Sequence, residues 1–254
     1  MILLTWSQED IWIDLIYYMS KLRDSNFYQS IQFPAVILIV LWIIQLFQYF
    51  TGISIGGLGI YPRHLIGFKG VFTSPFVHAS QDMMHLINNS IPLFVSMSLI
   101  LYFYRRVAYK SIAIIYVLTG LAVWLFGRPV FHIGASGVIY GLVSFIFWNG
   151  VFRRNVKSIV LALIILLLYS GMFLGVLPNQ PGISWESHLI GGIVGIVVSF
   201  TFRNQLEWAE IEEEKTWLVE DAKEGFFLDR NTFEKTIEQK KSERAGDWHS
   251  DSTW

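Results

Sequence analysis

Three otherwise apolar stretches of this chain carry polar side chains near one end: His85, Asn88 and Asn89 in the first, Ser136 within Gly134-Ala135-Ser136-Gly137 in the second, and His188 within Trp185-Glu186-Ser187-His188 in the third. A serine hydroxyl at its ordinary pKa is a poor nucleophile and needs a base to take its proton. His188 is the base this set offers. Attack on a carbonyl creates an oxyanion, which needs preorganised donors in a water-poor setting, each contributing a few kcal/mol. His85 and Asn89, at i and i+4 on one helix face, can supply an imidazole and a carboxamide N–H, and the backbone N–H of Ser136 a third. Asn88, at i+3, competes with Asn89 for this role. No acidic residue completes a triad, because Glu186 stands two positions before His188 and on a helix points elsewhere. The chemistry is therefore that of a Ser136–His188 dyad, with the imidazole held by packing or by an aromatic ring. Tyr140, one turn after Ser136, faces the same way and can carry that ring.

Taken singly, each residue has an ordinary explanation. A membrane serine usually bonds its own helix carbonyl, and a lone buried histidine is usually a packing residue. Their agreement in depth argues otherwise, and depth depends on the elements that carry them. Of 254 residues, 53% are hydrophobic and only 15% charged, against about a quarter charged in a water-soluble domain. Between Val107 and Phe202 the Asp, Glu, Lys and Arg residues number six, whereas the stretch from Arg203 onward has 14 acidic and 8 basic. A bilayer core about 30 Å thick needs roughly 20 apolar residues per helix. Six stretches qualify, near 34–53, 83–103, 107–126, 134–152, 156–177 and 184–202. The expected organisation is an N-terminal cytoplasmic or interfacial segment over 1–33, a membrane domain over 34–202 and a charged cytoplasmic tail over 203–254. Within the first segment Ile11, Leu15, Tyr18 and Leu22 recur at helical spacing, which fits a helix lying on the membrane or packed on the body; with no basic start before an apolar run, it does not read as a signal peptide.

Cytoplasmic connections are enriched in Lys and Arg. Arg105, Arg106 and Lys110 surround the second connection, and Arg153, Arg154 and Lys157 the fourth, with no acidic residue in either. The fold class expected is an all-α polytopic membrane protein, a bundle of six transmembrane helices with both termini cytoplasmic. Helices two, four and six then run inward from the outer face, and His85, Asn89, Ser136 and His188 fall at one depth. Gly137 with Gly141, and Gly191 with Gly195, give each of helices four and six the small-xxx-small spacing that permits close approach. The glycines of helix six share the face of His188. The long, glycine-containing first connection, roughly 54–82, is expected to fold into something of its own.

The run His132-Ile133-Gly134-Ala135-Ser136-Gly137-Val138-Ile139-Tyr140-Gly141-Leu142, with His85-Leu86-Ile87-Asn88-Asn89 before it and Trp185-Glu186-Ser187-His188-Leu189-Ile190-Gly191-Gly192 after it, resembles the rhomboid intramembrane serine proteases. The resemblance covers about 67–202. It implies a rhomboid-like six-helix bundle, Ser136 as nucleophile, His188 as general base, His85 and Asn89 as oxyanion donors, Gly134 as a supporting residue and Tyr140 stacked on His188. It also implies a substrate helix that enters between helices two and five and unwinds locally, with small residues preferred at the cut. The chain departs from the family pattern at Ser80, where a second histidine is common five residues before His85, and at Gly67-Phe68-Lys69-Gly70, where many members have a Trp-Arg pair. The nearest upstream histidine, His78, is left outside the catalytic set. His64, His132 and His249 read as loop, rim and tail residues.

The function expected is that of an intramembrane serine endopeptidase, a membrane hydrolase that cleaves transmembrane segments of membrane proteins near the outer face of the bilayer. The alternative is a catalytically silent rhomboid-like protein that binds membrane clients. A proton channel or transporter along the histidines lacks membrane carboxylates and an inverted repeat, and a metal hydrolase lacks a His-Glu-x-x-His motif. No metal or other cofactor is expected. With no cysteine there is no disulfide and no thiolate site. The basic clusters are short pairs, so nucleic acid is not an expected partner. The partners expected are transmembrane protein substrates, the lipid bilayer and a possible cytoplasmic protein docking on the tail. The location expected is the bacterial inner (plasma) membrane.

Overall fold

The computed structural model describes residues 26–80, 82–178, 184–205, 207, 236–239 and 241. The chain divides into two units, Met1–Gln205 and Leu206–Trp254. In the first unit the long elements are α1 (Asn26–Thr51), α2 (Met83–Phe103), α3 (Ala108–Phe126), α4 (Ser136–Arg153), α5 (Val156–Tyr169) and α6 (Trp185–Phe202). No strand occurs among the described residues, and Ile60 and His132 form an isolated antiparallel bridge. By length and composition α1, α2, α3 and α6 are long and apolar enough to cross a membrane. The apolar helix α5 is shorter. α4, 18 residues long, carries two serines, three glycines, Asn149 and Arg153 among its apolar residues and is the more polar of the set.

That polarity fits a central place. α4 packs against α6 along its length and against α2, α3 and α5 around its circumference, and Ile139, Leu142, Phe145 and Ile146 are fully enclosed. The outer helices are instead apolar on their exposed side. Val36, Ile39, Ile43, Phe47 and Phe50 of α1 are all exposed, a face suited to hydrocarbon rather than water. Close packing of α4 on α6 follows from glycine: a Cβ on Gly191 would collide with the carbonyl of Gly137, and one on Gly195 with that of Gly141. With no hydrophobic gain between helices in lipid, such backbone contact is what holds them.

Two boundaries differ from the sequence expectation. α1 is described from Asn26, so Pro34 lies inside the helix rather than at its start; a packed membrane helix tolerates the one missing N–H. The fifth helix ends at Tyr169 and tightens into a 3-10 helix over Ser170–Val176. The connection after α1 holds a 3-10 turn at Gly56–Leu58, helical turns at Leu65–Phe68 and Gly70–Thr73, and another 3-10 turn at Ser74–Phe76. It is fastened to the end of α3. Arg63 donates from its backbone to Trp124 and from Nη1 to the carbonyls of Leu125 and Gly127, and Trp124 Nε1 donates to the carbonyl of His64. Gly67 and Gly70 lie against the backbones of Tyr61 and Gly59–Ile60, with no room for a Cβ. The amphipathic stretch around Ile11 to Leu22 and the tail residues Trp208 to Phe233 lie outside the described residues, as does His249.

Candidate active site

Ser136 is the first residue of α4, where the backbone N–H groups of the opening turn have no partner within their own helix. The chain reaches it through Gly134, whose φ of 102° lies in a region open to glycine and strained for other residues. The N–H of Gly134 donates to the carbonyl of Ser74 at 2.9 Å, which ties the approach to α4 to the first connection. His188 stands in the first turn of α6, and its N–H and that of Ser187 donate to the carbonyl of Ser184.

Ser136 Oγ and His188 Nε2 are 2.8 Å apart. The other ring nitrogen, Nδ1, is 2.8 Å from the carbonyl oxygen of Gly175. A carbonyl oxygen only accepts, so Nδ1 carries the proton, and the neutral ring presents a lone pair at Nε2. The serine hydroxyl therefore donates to the imidazole, the direction general-base chemistry requires. The ring of Tyr140 is stacked on that of His188, 4.1 Å between centroids and 8° between planes. Its hydroxyl donates to the carbonyl of Met172 at 2.5 Å. Both rings are thus anchored to the Ser170–Val176 segment. A Cβ on Gly175 would strike the Tyr140 hydroxyl and come within 3.1 Å of His188 Nδ1.

Across the serine, α2 presents His85 and Asn89. Asp82 caps this helix by accepting the N–H of His85 at 3.0 Å. His85 Nε2 is buried without a hydrogen-bond partner. It would lie 3.0 Å from a Cβ on Gly134, and Asn89 Nδ2 3.8 Å from it. Two side-chain nitrogens thus border the space that the absent side chain of Gly134 leaves open, two residues before Ser136. Asn89 is buried, whereas Asn88 is exposed.

The rim of the site is closed by polar contacts between the α3–α4 connection and the start of α6. Arg128 forms a two-point ion pair with Glu186, Nη2 to Oε2 at 3.1 Å and Nε to Oε1 closer still. His132 is buried, with Nδ1 on the hydroxyl of Ser184 and Nε2 donating to the carbonyl of Arg128 at 3.0 Å. Burial holds His132 below the usual histidine pKa, against the opposing pull of the Arg128 carbonyl and Glu186. Glu186 is engaged with Arg128 and does not serve His188.

The structure brings together Ser136, His188, Tyr140, Gly134, His85 and Asn89. It adds two neighbours outside that set, one of which the sequence analysis does not name. Gly175 acts through a backbone carbonyl, which no residue type announces. His78 is fully buried in the first connection, with Nε2 3.1 Å from Asn89 Nδ2 and its ring 5.4 Å from that of His85. The sequence shows His78 as the nearest histidine upstream of His85 but not that it reaches Asn89.

Residues 66–205 match the Rhomboid domain family, more than half of the chain, and this protein belongs to the rhomboid family. An uncharacterized protein of Mycobacterium tuberculosis is 35% identical to it over 175 residues, 63% of this chain and 70% of the relative. One from Mycobacterium leprae, also uncharacterized, is 31% identical over 171 residues, 63% of this chain and 66% of its own length. Family membership and four helices able to cross a bilayer make the chain an integral membrane protein.

Proposed function

We propose that this protein is an intramembrane serine endopeptidase that cleaves transmembrane segments of other membrane proteins near the outer face of the bilayer. The observation that carries the reading is the line Ser136 Oγ, His188 Nε2, His188 Nδ1, Gly175 carbonyl, with 2.8 Å at each hydrogen bond. In the reaction, Oγ attacks the scissile carbonyl as its proton passes to Nε2. The oxyanion receives hydrogen bonds from the backbone N–H of Ser136, from His85 Nε2–H and from Asn89 Nδ2–H. Collapse breaks the C–N bond, and the imidazolium returns the proton to the departing amine. Water then gives a proton to Nε2, attacks the acyl-serine and releases the second product, and Ser136 regains its proton from the ring. Gly175 keeps the imidazole in the tautomer that each step needs. A carbonyl in place of a carboxylate leaves the site without a buried negative charge, which low-dielectric surroundings would make expensive.

The six long helices are read as six spans with both termini in the cytoplasm, and the site faces outward. The host membrane is read as a bacterial plasma membrane, consistent with mycobacterial relatives. Substrates are proteins whose membrane helices tolerate extension, because a continuous helix hides its carbonyls in hydrogen bonds. A cytoplasmic partner for the tail belongs to the same proposal.

The test is labelling of detergent-purified protein with a fluorophosphonate, which phosphonylates an activated serine. Wild type is expected to label, with Ser136→Ala and His188→Ala each reduced to background. Folded wild-type protein that takes no label, and cleaves no membrane-helix substrate, would overturn the reading in favour of a non-catalytic client-binding protein.

A further inference from the structure

Two glutamines interrupt the apolar sequence of α1, and both are buried to 1% exposure. A carboxamide in such a place is unfavourable unless its hydrogen bonds are made. Gln45 Nε2 donates to the carbonyl of Ala79 at 2.9 Å and, at 3.4 Å, to that of Ser80. Gln48 Nε2 donates to the carbonyl of His78 at 3.3 Å, while Gln48 Oε1 accepts the N–H of Ile55 at 3.2 Å. The two side chains therefore grip the backbone of the segment 78–80 from the side of α1. That segment carries the imidazole that meets Asn89, 3.1 Å from Nε2 to Nδ2.

We propose that His78, fixed by Gln45 and Gln48, is a positioning residue that holds the Asn89 carboxamide with its N–H edge toward the space beside Gly134. The inference rests on the proteolytic reading above. A carboxamide has a donor edge and an acceptor edge of nearly the same shape. Only the donor edge stabilises an oxyanion, and a flipped Asn89 would aim a partial negative charge at it. The lone pair of a neutral His78 at Nε2 selects the amino group: one N–H is committed to the ring, and the second is turned toward the reaction space. His78 is placed to stay neutral. Burial, aided by the neighbouring His85 and opposed by Asp82, lowers its pKa to about 4, so the ring is neutral at neutral pH; facing an amino group that only donates, it carries its proton on Nδ1 and accepts at Nε2. This acts through Asn89, since what the His78 ring turns toward the space beside Gly134 is a carbon, Cδ2, 3.9 Å from a Cβ there, while its Nε2 is engaged with Asn89.

The experiment is a double-mutant cycle on the full chain in detergent or proteoliposomes, with kcat and KM measured on a membrane-helix peptide and fluorophosphonate labelling of Ser136 run in parallel. His78→Leu is expected to lower kcat ten- to hundredfold, part of what loss of a whole oxyanion donor removes, with KM within about twofold. In an Asn89→Ala background the same substitution is expected to change kcat by less than about twofold, because the group that His78 orients is already gone. His78→Gln, whose carboxamide oxygen can take the place of Nε2 as acceptor, is expected to recover most of the loss. Should His78→Leu fail to fold, as judged by thermal melting, His78→Phe keeps a flat ring without nitrogens and serves in the same cycle. Multiplicative losses in the double variant, a loss in KM alone, or a His78→Gln enzyme as impaired as His78→Leu would each overturn the inference while leaving the protease standing. Wild-type protein that neither labels nor cleaves would overturn both, and is thereby told apart.

Discussion

His188 has two different neighbours for its two nitrogens, and the asymmetry determines what it can do. An imidazole between a hydroxyl and a second hydroxyl could sit in either tautomer; one set against the carbonyl of Gly175 has a single neutral form that accepts from Ser136. The stacked Tyr140 ring removes the remaining freedom, rotation of the imidazole about its own plane, and contributes about 1 kcal/mol beyond the area it buries. His78 gives a pH prediction of a different kind. Its pKa is held at about 4 in the folded protein against an ordinary 6.5, so between those values the unfolded chain binds more protons than the folded one. Stability is then fully present above about pH 6.5 and falls as pH drops toward 4, by on the order of 3 kcal/mol. Melting temperature followed from pH 7 to pH 4 is expected to fall more steeply for wild type than for His78→Gln, which has no proton to gain. Parallel curves for the two proteins would show that His78 is not held neutral.

The elements convert these contacts into a geometry, and α4 against α6 is the pair that matters. Ser136 and His188 each open their helix, so the distance between them is set by how closely the two helices run below. Glycines set it: Gly191 and Gly195 rest on the carbonyls of Gly137 and Gly141. Gly191→Ala and Gly195→Ala each place a methyl group where a backbone oxygen stands, and the helices must separate. A displacement of about 1 Å at a catalytic pair costs on the order of 100-fold in rate. Each variant is therefore expected to lose at least about tenfold in kcat, whereas Gly192→Ala, whose Cβ would meet open space, tests the same helix without the clash. Gly191→Ala with undiminished kcat would mean that the helix spacing is not what sets the dyad. The same pairs explain what the sequence makes legible. Ser136 and His188, the pair proposed as nucleophile and base, show themselves by residue type and by the glycine spacing their helices share. Gly175 acts through its backbone, and the grip of Gln45 and Gln48 on residues 78–80 joins segments about 30 positions apart, which local spacing does not encode. The helical turns ahead of Pro34 and the 3-10 turn after α5 are hidden for another reason: hydropathy marks where a stretch is apolar, not how far its hydrogen-bond pattern extends or where it tightens.

At the scale of the molecule the open quantity is direction. The first 202 residues carry a net charge of +5 and the remainder −6, but orientation depends on the short connections, where Arg105, Arg106, Lys110, Arg153, Arg154 and Lys157 oppose transfer across the bilayer. The site lies at the opposite ends of α4 and α6 from the Arg153–Lys157 cluster, beside the first connection, to which Gly134 is bonded through Ser74. Whichever side receives Leu65 of that connection is therefore the side that the Ser136–His188 pair faces, and on the proposed reading the side on which a substrate is cut. The chain has no cysteine, so a single introduced one reports alone, and Leu65 and Val156 are 89% and 78% exposed. In intact bacterial spheroplasts a membrane-impermeant maleimide is expected to label Leu65→Cys and to reach Val156→Cys only after permeabilisation. The reverse pattern would place the dyad at the cytoplasmic face and confine its substrates to helices that unwind there. Labelling of both in intact cells would mean that α2, α3 and α4 do not all cross, and the six-span arrangement would fall with it.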